Sequence, residues 1–293
     1  MTPSALSPWP AGDLIGAHFA SGGALWTGTA LLCLGLAMRL FAAGKKVRFA
    51  AIGVTAGGCV VIAFSAAPLP YGLYALWLLL VITAWALGGR PGALRYGAVS
   101  AAAAFSLGVC LWEFGHHRAP DIPVGDRGRL YVIGDSLSMG SRSPEGNWPE
   151  RLGAKLGLET HNYSFGGATV SSAMSNAERI ETGDALVILA IGGNDLLGGN
   201  FAGFRADLRQ MLKTVHRDER EIVMIELPLP PFHNSFGRAQ RTLAGEFGVT
   251  LIPKRHLTGV LFTPGATYDG IHLTDEGHAQ LAETMAQFFE TAP

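Results

Sequence analysis

Four apolar runs in the first 118 residues constrain this chain more than anything else in it. They cover about 24–43, 47–67, 69–87 and 96–114, each close to the ~20 residues that a helix needs to cross a hydrocarbon layer of ~30 Å. Between Ala24 and Phe114 the only charged residues are Arg39, Lys45, Lys46, Arg48, Arg90, Arg95 and Glu113, all at the ends of runs. The pattern predicts four transmembrane helices. Only 15% of all residues are charged and the mean hydropathy is +0.27, too apolar for one ordinary soluble domain.

The basic residues set the expected orientation. Arg39, Lys45, Lys46 and Arg48 flank the first connection and Arg90 and Arg95 the third, whereas the N-terminal tail and the connection at 66–70 carry no Lys or Arg. Basic loops stay in the cytoplasm, so the N-terminus and everything after Phe114 are expected outside. No Lys or Arg precedes Arg39, and Pro3, Pro8 and Pro10 precede the first run, so the start does not read as a secretory signal.

The rest of the chain differs in kind. Residues 119–293 hold 15 Lys/Arg against 21 Asp/Glu, an acidic balance that argues against a nucleic-acid partner. All three cysteines, Cys33, Cys59 and Cys110, fall inside the predicted spans, so the C-terminal part has neither a disulfide framework nor a cysteine metal site. Residues 119–128, rich in Pro, Asp and Gly, read as a short linker, which gives a membrane domain at 1–118 and a second domain at 129–293. His116-His117-Arg118 stands at the boundary as a polar interfacial anchor.

From 129 onward, short apolar segments at 130–133, 160–164, 185–191, 221–227 and 249–252 alternate with helical patterns at 148–156, 170–179, 201–216, 235–247 and 275–290. Strands buried on both faces and separated by helices predict a parallel sheet in an α/β/α sandwich. Thr274 is the expected N-cap of the last helix.

Four blocks then stand where such a sheet collects its chemistry. They are Gly134-Asp135-Ser136-Leu137-Ser138, Gly166-Gly167, Gly192-Gly193-Asn194-Asp195 and Asp269-Gly270-Ile271-His272. The first three follow predicted strands, and parallel sheets bind ligands at the carboxyl ends of their strands. Together they supply the parts of a serine acyl hydrolase: Ser136 as nucleophile, His272 as base, Asp269 three residues away as its orienter, and backbone and side-chain amides for an oxyanion. Asp195 more plausibly braces its loop than reacts. A phosphate-binding reading of Gly192-Gly193 lacks a Walker or dinucleotide pattern. His278, His256, His233 and His161 stand outside the four blocks and read as surface or packing residues. Arg142 and Arg205 read first as solvated surface charges, with contact to an anionic head group as the alternative.

The four blocks, with Asn147-Trp148-Pro149, resemble the SGNH or GDSL hydrolases over about 129–289, most closely the lysophospholipase and thioesterase I-like branch. The resemblance implies the three-layer, flavodoxin-like α/β/α fold, a Ser136–His272–Asp269 triad, and oxyanion donors on Ser136 N–H, Gly167 N–H and the Asn194 side chain. It favours Gly167 over Gly166, which is left a turn role, with Asp135 and Gly193 as supporting residues. It implies no cofactor and no metal, and with no secretory signal at the start it implies a bacterial inner membrane as the setting, the C-terminal part lying in the periplasm. The expected activity is hydrolysis of carboxylic esters or thioesters on a lipid or acylated envelope substrate, with membrane lipids as neighbours. O-acyl transfer to, or deacetylation of, envelope glycans is the alternative; a membrane-anchored binding module with a dead site is a third reading.

Overall fold

In the computed structural model, residues 11–41, 44–90, 92–140, 143–181 and 183–290 are described, with side chains left aside at 11–13. Residues 42–43, the end of the first expected span, and Arg142 lie outside them. The described residues divide into two compact units, one within 18–118 and 229–234, the other within 11–17, 119–228 and 235–290.

After a short helix α1 (Ala11–Ala20), the helical unit contains α2 (Ala24–Phe41), α3 (Lys45–Phe64), α4 (Tyr71–Gly88) and α5 (Ala93–His117). All four are long and apolar enough to cross a membrane. Small residues let α2 and α3 approach backbone to backbone: a Cβ on Gly58 would stand 2.6 Å from the Leu32 nitrogen, the close packing that glycines permit between apolar helices. Polar groups in the interior are paired across helices, Trp77 Nε1 donating to Ser106 Oγ at 2.8 Å and Cys110 Sγ to Thr29 Oγ1 at 3.3 Å. Leu76, Leu78, Leu79 and Ile82 face outward. Glu113, read from sequence as the end of an apolar run, lies inside α5 because the helix continues to His117; it is fully buried, with one oxygen 3.7 Å from His117 Nε2. Residues 229–234 are held in the same unit, Asn234 Nδ2 donating to the Tyr74 hydroxyl at 3.1 Å.

The second unit is built on a five-stranded parallel sheet. Its strands are β2 (Arg129–Gly134), β3 (Glu159–Asn162), β4 (Leu186–Ala190), β5 (Glu221–Ile225) and β6 (Thr250–Ile252), in the order β3-β2-β4-β5-β6. Two further strands, β1 (Ile122–Pro123) and β7 (Phe289–Glu290), form a separate parallel pair. The stretch 119–128 expected to be a linker therefore contributes a strand to this unit. The last helix, expected to reach Glu290, stops at Ala286 so that Phe289 can pair with Ile122.

The helices are α6 (Trp148–Leu156), α7 (Met174–Glu178), α8 (Gly193–Gly198), α9 (Phe201–Val215), α10 (Asn234–Phe247), α11 (Lys254–Leu261) and α12 (Asp275–Ala286). Local signals explain their ends. Asn147 and Glu150 form a capping box on α6, Gly157 closes it at φ 70°, and Thr274 Oγ1 accepts from Gly277 N–H at the start of α12. Right-handed crossovers place helices on opposite faces when the chain reverses direction across the sheet. The step from β2 to β3 puts α6 on one face, where it packs on α12. The return past β2 to β4 puts α7, α9 and α10 on the other, with Phe204 of α9 and Phe236 of α10 at 4.9 Å between ring centroids. The result is an α/β/α sandwich. Leu130, Val132, Leu186, Ile188, Val223 and Ile225 alternate toward Trp148, Leu152, Leu281 and Met285 in its core. The reversal opens the crevice between β2 and β4, where a doubly wound sheet binds its ligand.

Candidate active site

The chain leaves β2 at Gly134 and enters a single 3-10 turn, Ser136–Ser138, capped by the Asp135 carboxylate, which accepts the Leu137 N–H at 3.0 Å. Gly134 is needed there: a Cβ would stand 2.7 Å from Ser164 Oγ and 2.9 Å from Ser138 Cβ. The turn thus folds back over the strand end and leaves Ser136 partly exposed.

The second block follows β3. Gly167 has φ 73°, a conformation that costs an L-residue roughly 1–2 kcal/mol. The left-handed turn position therefore falls on Gly167 and not on Gly166, whose absent Cβ would only touch Met139 Sδ at 4.0 Å. The third block opens α8 at the end of β4. The Asn194 side-chain amide donates to the Ala168 carbonyl at 2.9 Å, and Asp195 accepts the Val170 N–H at 3.0 Å. Both bonds tie this block to the one after β3. A Cβ on Gly193 would come within 3.2 Å of Asp135 Oδ2, which places the first and third blocks against each other.

The fourth block sits in the loop before α12. His272 Nδ1 lies 2.7 Å from Asp269 Oδ2, and Asp269 Oδ1 accepts the N–H groups of His272 at 2.8 Å and Ile271 at 3.0 Å. These donors, the His272 backbone foremost and its side chain next, hold the Asp269 carboxyl down at about 2. With a carboxylate on Nδ1, the neutral ring carries that proton and leaves Nε2 as the basic nitrogen. Burial pushes the Asp135 carboxyl up, against the Leu137 N–H and the nearby His272, which favour its charge. His272 is therefore within electrostatic reach of the first block. Burial likewise pushes Asp195 up, against the Val170 N–H.

Three segments distant in sequence, those after β2, β3 and β4, are thus joined by named contacts at one edge of the sheet, and His272 of the fourth acts on the charge of Asp135. Among the described residues no cluster of three or more His, Cys, Asp or Glu could hold a metal ion. The other histidines divide. His161 stacks on Tyr131 with centroids 4.7 Å apart, and His256 meets Phe288 edge-on at 4.6 Å. His233 belongs to the 229–234 segment of the helical unit. His278 is fully buried, so it is no surface residue, and its Nδ1 accepts the Trp148 N–H at 3.2 Å. The sequence held one signal for it: 278, 281, 282 and 285 form the buried stripe of α12. Arg205 is exposed on α9.

A model of the GDSL-like lipase/acylhydrolase family matches residues 132–280, just over half of the chain. No curated protein matches it. Similar solved structures include a psychrotrophic esterase, EstA, from Pseudoalteromonas sp., 18% identical with a TM-score of 0.48 over 55% of this chain and 95% of that one. A member of the lipolytic G-D-S-L family from Veillonella parvula is 17% identical with a TM-score of 0.46, covering 54% and 96%. A lipase/acylhydrolase from Enterococcus faecalis is 16% identical with a TM-score of 0.43, covering 54% and 94%.

Proposed function

Because the chain belongs to the GDSL-like lipase/acylhydrolase family, we propose that it is a membrane-anchored serine esterase acting through Ser136, His272 and Asp269. The observation that carries this reading is the Asp269–His272 pair, whose carboxylate is fixed by two backbone N–H groups and one imidazole nitrogen. The two backbone bonds form an ordinary Asx motif; the imidazole nitrogen on the second carboxylate oxygen is the contact that a triad needs.

In the proposed reaction His272 Nε2 takes the proton of Ser136 Oγ as that oxygen attacks the carbonyl carbon. Asp269 holds the Nδ1–H and stabilises the imidazolium that forms. The carbonyl electrons move to oxygen, and the oxyanion is received by the N–H groups of Ser136 and Gly167 and by Asn194. One Asn194 hydrogen is committed to Ala168 O, which fixes the amide plane and leaves the second hydrogen for the oxyanion. Collapse breaks the ester or thioester bond, and His272 returns its proton to the departing alcohol or thiol. Water, deprotonated by His272, then attacks the acyl-enzyme and releases the acid and Ser136. Asp135, Gly193, Gly166 and Asp195 support the site by contact and do not react.

The substrate is proposed to be an acyl ester of a lipid or of an acylated envelope component. Beyond residue 118 the exposed large hydrophobics among the described residues are Met139, Phe165, Leu197, Phe232, Tyr268 and Ile271. Five of these, Phe232 excepted, adjoin the four blocks, and apolar side chains gathered around a reactive serine suit an acyl chain. The four apolar helices would anchor residues 1–118. Basic residues at the α2–α3 and α4–α5 connections favour an extracytoplasmic α/β unit.

The test is hydrolysis of p-nitrophenyl butyrate by the purified full chain. Wild type should turn the ester over, and Ser136→Ala and His272→Ala should not. A folded wild-type protein inert toward esters of every chain length would overturn the reading.

A further inference from the structure

The turn that holds Ser136 is braced from behind by residues that take no part in the reaction. Trp148, the first residue of α6, is fully buried and donates from Nε1 to Ser138 Oγ at 3.2 Å. Its backbone N–H donates to Nδ1 of His278, which is 0% exposed and sits on the buried face of α12. On the other side of the turn, Asn162 Nδ2 donates to the Ser138 carbonyl at 2.9 Å and to Glu150 Oε1 at 3.0 Å, while Glu150 Oε2 accepts the Asn147 N–H at 3.0 Å. Trp148 therefore joins α12 to the Ser138 hydroxyl by two hydrogen bonds.

Accepting at Nδ1 fixes the chemistry of His278. A ring nitrogen that accepts carries no proton, so the ring is the neutral Nε2–H tautomer, and a charged imidazolium, a donor at both nitrogens, cannot make this bond. We propose that His278 is a positioning residue for Ser136: through Trp148 it holds the turn that presents the nucleophile, and it does so only as a neutral imidazole. The proposal rests on Ser136 being the nucleophile.

The surroundings agree. Burial lowers the proton affinity of His278; Asp275 on its own helix and Glu150 on α6 oppose this, as does the Met139 backbone, while Arg151 on α6 acts with burial. A base whose folded pKa is depressed binds its proton more readily in the unfolded chain. Stability therefore falls as pH drops below the ordinary histidine value, and the loss ends once the buried ring itself is protonated. Protonation would also leave the Trp148 N–H without its acceptor, inside the core.

Three variants of the full chain in detergent separate positioning from packing. His278→Leu removes the acceptor; His278→Asn places Oδ1 where Nδ1 stands and cannot be protonated; Trp148→Phe keeps the ring and removes the Nε1 donor. With p-nitrophenyl butyrate, His278→Leu and Trp148→Phe should lose roughly 10- to 100-fold in kcat with KM within about twofold, as for a misplaced reacting group. His278→Asn should recover most of kcat. Labelling of Ser136 by a fluorophosphonate, corrected for the folded fraction, should slow in parallel with kcat. Wild-type labelling rates in His278→Leu and Trp148→Phe would overturn the proposal, as would a His278→Asn protein no better than His278→Leu. A wild-type protein that does not label at Ser136 would instead remove the nucleophile assignment, and this proposal with it.

Discussion

The carboxylate of Asp269 holds the imidazole of His272 twice, accepting the backbone N–H of the same residue at 2.8 Å on one oxygen and facing Nδ1 at 2.7 Å with the other. Both residues are exposed, so the geometry is set by local bonds and not by packing. Replacing Asp269 with Asn should keep the loop and lose the tautomer. A fall in kcat of about 10⁴-fold with little change in KM is expected from comparable triads. A kcat within twofold of wild type would show that Asp269 has no part in catalysis.

The same carboxyl predicts a pH behaviour. Its pKa is depressed to about 2, so its charge and the bonds it accepts persist well below the ordinary range of aspartate and are lost only as pH falls through about 2. Any loss of activity between pH 5 and 3 must come from other groups. NMR titration of the Asp269 carboxyl carbon checks this; a midpoint near 4 would contradict it.

Asn194 and Gly167 test the oxyanion assignment. Asn194→Ala removes one donor and should lower kcat by about 10² to 10³-fold. Gly167→Ala meets no atom within 4 Å but places a side chain at φ 73°; a stability loss of roughly 1–2 kcal/mol is expected from backbone conformation alone. Steady-state kinetics and thermal melts of the two variants should therefore separate, the first defective chiefly in kcat and the second also in Tm.

Asp195 should matter to stability more than to chemistry. Asp195→Ala leaves the buried Val170 N–H without a partner, a cost of about 1–3 kcal/mol. Asp195→Asn keeps an acceptor without the charge that burial disfavours, and should melt at or above wild type at pH 7. A melting temperature of Asp195→Ala equal to wild type would contradict this role.

Much of this was legible in the chain. The four long apolar helices were marked by length and lack of charge, and the strand ends by the glycine-rich blocks that follow them. α6 could be read to the residue because Asn147, Pro149, Glu150 and Gly157 are all local signals. What was not legible depended on partners distant in sequence. β1 and β7 are two residues each and exist only because 122 and 289 meet, so no period could announce them. Glu226 fell inside the segment 221–227 expected as a strand, and nothing local named its partners; it lies past the end of β5, buried with Arg241 Nε 2.7 Å away, and accepts the Lys254 N–H at 3.3 Å. His278 read as a surface or packing residue because its bond partner, the Trp148 N–H, is 130 residues away in sequence, although its place on the buried stripe of α12 pointed inward. Glu113 looked terminal because apolarity ends there, while the helix itself runs one turn further.

The most direct measurement is the site of covalent modification. Treating the full chain with a fluorophosphonate and mapping peptides by mass spectrometry should give one stoichiometric adduct, on Ser136, absent in Ser136→Ala and strongly slowed in His272→Ala. An adduct on Ser138 or elsewhere, or none in a folded protein, would contradict the account.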